Sequence, residues 1–202
     1  MFKKLAVIVT FIFCITVISF AETVHFKTEK NTPDSKFYYS KEYGLKIKIP
    51  EGWMAIDHSS SEALRSGTGV DTKGVICVFK DNRIGSAPLI YIKSNFLDKV
   101  YSLEEYASIL RENNLKMKKG SVLLDTIENA RIVVSNGHNF IKNIAILNEP
   151  AGKETHVHYI FLKGRMSCGI IVSLPIEKFD EYKDTLENIA ASLIFEGVGS
   201  DF

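Results

Sequence analysis

The sequence predicts an α+β fold: an antiparallel β-sheet of about six strands packed with amphipathic helices. Three observations predict it. Short early stretches alternate apolar and polar residues, the pattern of half-buried strands. Two later stretches, opening at Ser102 and Pro175, space their apolar residues for one face of a helix. Between them, Ser121 to Leu174 returns to strand patterns divided by turn signals. Strands and helices are therefore grouped, not strictly alternated as in a parallel α/β sheet.

In chain order, Lys36–Ser40 and Leu45–Ile49 flank Lys41-Glu42-Tyr43-Gly44 and read as a hairpin. Leu45, Ile47 and Ile49 alternate with Lys46 and Lys48, which puts three aliphatics on one face and two lysines on the other. Pro50-Glu51-Gly52 ends this strand, and Trp53, the single tryptophan, follows. Ser59–Ser66 reads as a short helix and Gly67–Gly74 as a loop. Val75–Phe79 and Pro88–Lys93 are strands about an Asp81–Ser86 turn. Ser102-Leu103-Glu104-Glu105 is a capping box, in which hydroxyl and carboxylate satisfy end amides reciprocally. Leu103, Tyr106, Ala107 and Leu110 continue at helical spacing, with the end expected at Asn113-Asn114.

In the second half, Asn136-Gly137 is a two-residue turn between Arg131–Ser135 and Asn139–Leu147. Glu149-Pro150-Ala151-Gly152 marks the next turn, and Lys163-Gly164-Arg165 separates Thr155–Leu162 from Met166–Leu174. A tight hairpin there pairs Phe161 with Cys168 and His158 with Ile171. Pro175 stops the meander. Phe179, Tyr182, Leu186, Ile189, Ala190 and Leu193 then line one face of a closing helix.

The N-terminus bounds the compartment. Met1–Lys4 carries two lysines, Leu5–Phe20 is uncharged and apolar, and Ser19-Phe20-Ala21 places small residues where a signal peptidase reads. The expectation is a signal peptide over 1–21, with a periplasmic or secreted product. A retained leader would instead make an N-terminally anchored envelope subunit. Cys14 lies deep in the apolar run, which argues against a lipoprotein signal. Residues 22–35 form a polar lead-in, 36–196 one domain and 197–202 a tail. Removing Lys3 and Lys4 with the leader leaves 23 basic against 24 acidic residues, interspersed along the chain. That balance offers no electrostatic case for nucleic acid or an anionic membrane, and no membrane span remains after cleavage.

Tyr39-Ser40-Lys41-Glu42-Tyr43-Gly44, the alternating strand and Ile49-Pro50-Glu51-Gly52-Trp53 together resemble the opening of PsbP-like (DcrB-like) domains, the family of the extrinsic photosystem II subunit. The closing stretch 179–195, ending Ala191-Ser192-Leu193-Ile194-Phe195, is similar to the end of that family. The resemblance runs from Phe37 to Phe195. It implies an antiparallel sheet sandwiched between helices, in proteins that are mostly non-enzymatic accessory or binding proteins with no shared catalytic set. Lipoprotein members carry a cysteine at the mature start; this chain has Glu22 there.

Few residues invite chemistry. His156-Val157-His158 places two imidazoles on one face of a strand, where further ligands could complete a zinc or copper site. Those histidines carry the alternative reading of a metal-binding protein or metal-dependent enzyme. The predicted register puts Cys168 on the opposite face. Cys77 and Cys168 could pair as a disulfide in an oxidising compartment, or stay buried thiols. Asp57-His58-Ser59 holds triad residue types, but neighbours in sequence do not converge on one point. Gly67-Thr68-Gly69 lacks the Gly-Lys-Ser/Thr ending of a phosphate loop. Gly67, Gly69 and Arg83 mark a partner or ligand surface, since loops commonly carry function; Trp53, after the Pro-Glu-Gly turn, is expected to cover one end of the core, with ligand stacking at that surface the alternative reading. No catalytic residue and no cofactor is implied. The expected function is that of an exported, non-catalytic accessory or binding protein of the cell envelope, acting on another envelope protein or a small ligand.

Overall fold

The computed structural model describes residues 36–57, 74–82, 88–120, 122–149 and 152–196. The expected signal peptide 1–21, lead-in 22–35, short helix 59–66 and tail 197–202, together with Gly67, Gly69 and Arg83, lie outside the described residues.

Among the described residues are ten strands and two α-helices: β1 (Phe37–Ser40), β2 (Leu45–Lys48), β3 (Trp53–Asp57), β4 (Val75–Asp81), β5 (Ile90–Phe96), α1 (Leu103–Lys119), β6 (Leu123–Ser135), β7 (His138–Glu149), β8 (Gly152–Lys163), β9 (Met166–Pro175), α2 (Phe179–Ser192) and β10 (Ile194–Phe195). A 3-10 turn at Ile176–Lys178 joins β9 to α2. The large sheet has the order β3-β4-β5-β9-β8-β7-β6, and β1-β2-β10 forms a small second sheet. Every strand pairing is antiparallel. The large sheet holds seven strands where about six were expected, because Trp53–Asp57 pairs along β4 as an edge strand.

Alternation along each strand sorts the side chains between two faces. On one face, Val157, Tyr159 and Phe161 of β8 join Ile170 and Val172 of β9 in the main core. Leu186 and Ile189 of α2 and Leu45 and Ile47 of the small sheet close over them. On the other face, Ile160 of β8 and Ile141 of β7 pack under Tyr106, Ala107 and Leu110 of α1.

The β8–β9 hairpin has the expected register, with Phe161 opposite Cys168 and His158 opposite Ile171. Gly164, at φ 56°, supplies the left-handed conformation that its two-residue turn requires. Helix α1 starts as expected. The Ser102 hydroxyl accepts from Glu105 N–H at 3.1 Å, and the Ser102 N–H donates to the Glu105 carboxylate at 2.8 Å. Its end differs: α1 continues past Asn113-Asn114 to Lys119. Asn114 is buried and its amide donates to Asn143 and Asn129, so tertiary partners satisfy a side chain that would otherwise favour stopping the helix.

Candidate functional site

The α1-side face of the large sheet carries a polar stretch beside the helix. Asn143 of β7, His158 of β8 and Ile171 of β9 are register neighbours across three strands. Next along β8 and β9 come His156 and, opposite it, Ser173. Lys93 of β5 lies opposite Gly169 of β9 and is buried.

Each group has a definite role. The Asn143 carbonyl oxygen accepts from Asn114 at 2.9 Å and from the backbone N–H of Ala130 at 3.1 Å. Ala130 has φ 46°, within a stretch where β6 bulges repeatedly against β7. Left-handed backbone is strained for a residue with a Cβ, and the Asn143 bond helps hold it there. The Ser173 hydroxyl donates a short hydrogen bond to Glu154 and lies 3.0 Å from Nε2 of His156. With that proton directed to Glu154, the contact between Ser173 Oγ and His156 is satisfied by the imidazole form that carries a proton on Nε2. A nucleophilic serine needs the reverse, with its own proton held by the imidazole. Nε2 of His156 also lies 3.6 Å from Glu154 and 3.7 Å from Glu149.

The two histidines share a face, as strand periodicity requires, but their surroundings diverge. Burial lowers the pKa of His156, while Glu149 and Glu154 pull it back up. Burial pushes His158 down to about 4, and the neighbouring His156 and the Lys93 ammonium add to the shift. A cation beside His158 would meet the Lys93 charge. Among the described residues, no group of three or more His, Cys, Asp or Glu side chains is placed to hold a metal ion.

Cys77 and Cys168 are free thiols, buried on the face that α2 covers. They stand on β4 and β9 with β5 between them, and Cys168 lies two residues along β9 from Ile170, which shares the row of Cys77, so their Cα atoms are more than two inter-strand spacings, roughly 10 Å, apart. A disulfide needs Cα atoms within ~7 Å, and this geometry argues against the bridge. Burial raises the pKa of both thiols, that of Cys168 to about 12, so they behave as small hydrophobes.

Trp53 is 7% exposed and meets Tyr182 of α2 edge-on at 6.2 Å. It closes one end of the main core, the place expected for a tryptophan that follows the Pro50-Glu51-Gly52 turn, and offers little surface to a partner or ligand. Sequence reasoning missed Glu149, Glu154, Ser173, Lys93 and the Asn114–Asn143 pair. One signal was available, because the register that pairs His158 with Ile171 also brings Ser173 to His156.

Helix α1 packs chiefly on β6 and β7, with Ile160 of β8 beneath it. Beyond it, Met54 of β3 is 42% exposed, opposite Lys80 of β4. Among the described residues no helix is long and apolar enough to cross a membrane.

No family model matches the sequence, and neither does any curated protein. Solved structures do share the fold. The solution structure of cyanobacterial PsbP (CyanoP) from Synechocystis sp. PCC 6803 aligns with a TM-score of 0.52 and 13% identity, over 85% of this chain and 98% of that one. A crystal structure from Bacteroides thetaiotaomicron VPI-5482 aligns with a TM-score of 0.50 and 13% identity, over 83% of this chain and 50% of that one. The fold is PsbP-like, as the opening and closing motifs implied. At such identity the likeness establishes the arrangement of elements and assigns no activity.

Proposed function

We propose that this protein is an exported accessory protein of the cell envelope, which binds a partner and carries out no chemistry of its own. One observation carries the reading. The polar cluster around His156 directs the Ser173 proton to Glu154 and not to the imidazole, an arrangement that ties β8 to β9 and lacks the serine–histidine relay of a nucleophilic site. The leader pattern of residues 1–21 supports export, and the PsbP-like fold is compatible with an accessory role. The partner would be another envelope protein, or a small ligand held against the sheet beyond α1, where Met54 and Lys80 stand side by side.

Two measurements test this. N-terminal sequencing of the exported protein should find a start near Glu22; an intact N-terminus would favour the anchored form. Affinity capture from the native envelope should recover a specific protein with wild type and lose it with Met54→Glu, while circular dichroism shows both variants folded. If neither a protein nor a tightly held small molecule accompanies the wild type, the proposal fails.

A further inference from the structure

The last carbonyls of α2 have no acceptor role left inside the helix, so their partners come from elsewhere. Ile189 C=O accepts from the Ser192 hydroxyl at 2.7 Å, and Ala190 C=O from Leu193 N–H at 3.3 Å. Ala191 C=O accepts from the side-chain amide of Asn136 at 3.3 Å, across 55 residues of chain. No basic residue stands in the last turn of α2, so this neutral amide faces the negative end of the helix dipole without a charged helper.

Asn136 is also the one asparagine in the chain followed by glycine. The pair forms the exposed two-residue turn between β6 and β7, closed by Ser135 opposite His138. Both residues have positive φ, 50° and 78°, as a type I′ turn requires. A Cβ at position 137 would meet nothing within 4 Å. The turn therefore has open space beside Gly137, and with no side chain there the residue leaves its own nitrogen unshielded on that side for approach to the Asn136 side-chain amide carbon.

We propose that Asn136 is a self-modification site whose conversion releases the end of α2. The Gly137 nitrogen attacks Cγ of Asn136. The Cγ–Nδ2 bond breaks, and ammonia leaves with the proton that the Gly137 nitrogen gives up. Water then opens the cyclic imide at one carbonyl or the other. One product is aspartate; the other is isoaspartate, whose main chain runs through Cβ. Neither donates a hydrogen bond to Ala191 C=O, and each places a carboxylate at the negative end of the helix. Isoaspartate also lengthens a turn that fits only two ordinary residues.

The test incubates the purified whole protein at mildly alkaline pH beside a synthetic peptide of residues 134–140, with peptide mapping by mass. Asn136 should convert at a rate within roughly tenfold of the peptide, a barrier difference of about 1.4 kcal/mol. The described asparagines without a following glycine should stay amides, and Asn136→Gln should abolish the conversion. A peptide fully converted while Asn136 stays intact in the folded protein overturns the site. The Asn136→Asp variant isolates the consequence, since Asp tolerates a left-handed turn position. Its amide hydrogen exchange should rise severalfold in the last turn of α2 and stay unchanged in α1. Exchange equal to wild type in both helices overturns the release of α2.

Discussion

On one side of the large sheet, Tyr159, Ile170 and Leu186 are buried among aliphatic and aromatic side chains, with α2 and the small sheet closed over them. On the other side of the same strands, Asn143, Lys93 and His158 fill positions that could equally have been apolar. The first face derives its stability from area removed from water, and its contacts are interchangeable in kind. The second depends on particular pairs, because a buried polar group is tolerated only while its partners stay in place. The dry face is therefore expected to fail by graded loss, and the polar face by single missing hydrogen bonds.

The largest effect should come from the dry face. Leu186→Ala removes a fully buried side chain from the centre of α2 and should lower unfolding free energy by about 2–5 kcal/mol, read from urea unfolding. A smaller loss would show that α2 settles into the cavity. On the polar face, Asn143→Ala strands the Ala130 N–H and takes one of its two acceptors from the Asn114 amide, which keeps Asn129. Its expected penalty is roughly 1–3 kcal/mol, with faster hydrogen exchange at the β6 bulge. A neutral result would mean that the left-handed Ala130 needs no tether. Ser102→Ala breaks the capping box of α1 and should remove about 1 kcal/mol, measured as a fall in melting temperature.

At neutral pH the smallest contribution is that of His158. Its folded pKa, about 4, lies below the usual 6.5. Between these values the unfolded chain holds a proton that the folded chain does not, so stability falls as pH drops from about 6.5 toward 4 and is flat above. Urea midpoints measured across that window should show this slope flattened in His158→Gln. An unchanged slope would place the pH dependence elsewhere, with His156 the next group to examine.

Local signals read well wherever one residue type has one physical use. The Ser102–Glu105 box, the Asn136-Gly137 turn and the Gly164-Arg165 turn each act within a few residues, and the β8–β9 register followed from the last of them. Signals failed where the partner was distant. Asn113-Asn114 reads as a helix end, yet Asn143 and Asn129 carry α1 onward to Lys119. Trp53–Asp57 has too little alternation to declare itself a strand until β4 lies alongside. The early part of β6 hides its pairing behind bulges, each of which shifts the alternation that periodicity relies on. Of the polar site, only His156 and His158 stood out in advance. Glutamates, a serine and a lysine are too common to single out one by one.

By itself, then, the order of amino acids determined which stretches pleat, which coil, where the tight turns fall and which side of each regular stretch turns inward, because those choices depend on neighbours within about a turn or a pleat. Only the folded molecule decided what faces what: that β5 would keep Cys77 from Cys168, that Trp53 would close on Tyr182, and that an asparagine in the β6–β7 turn would finish a helix 55 residues away. Those contacts arise from strand order and layer packing, which no local pattern encodes.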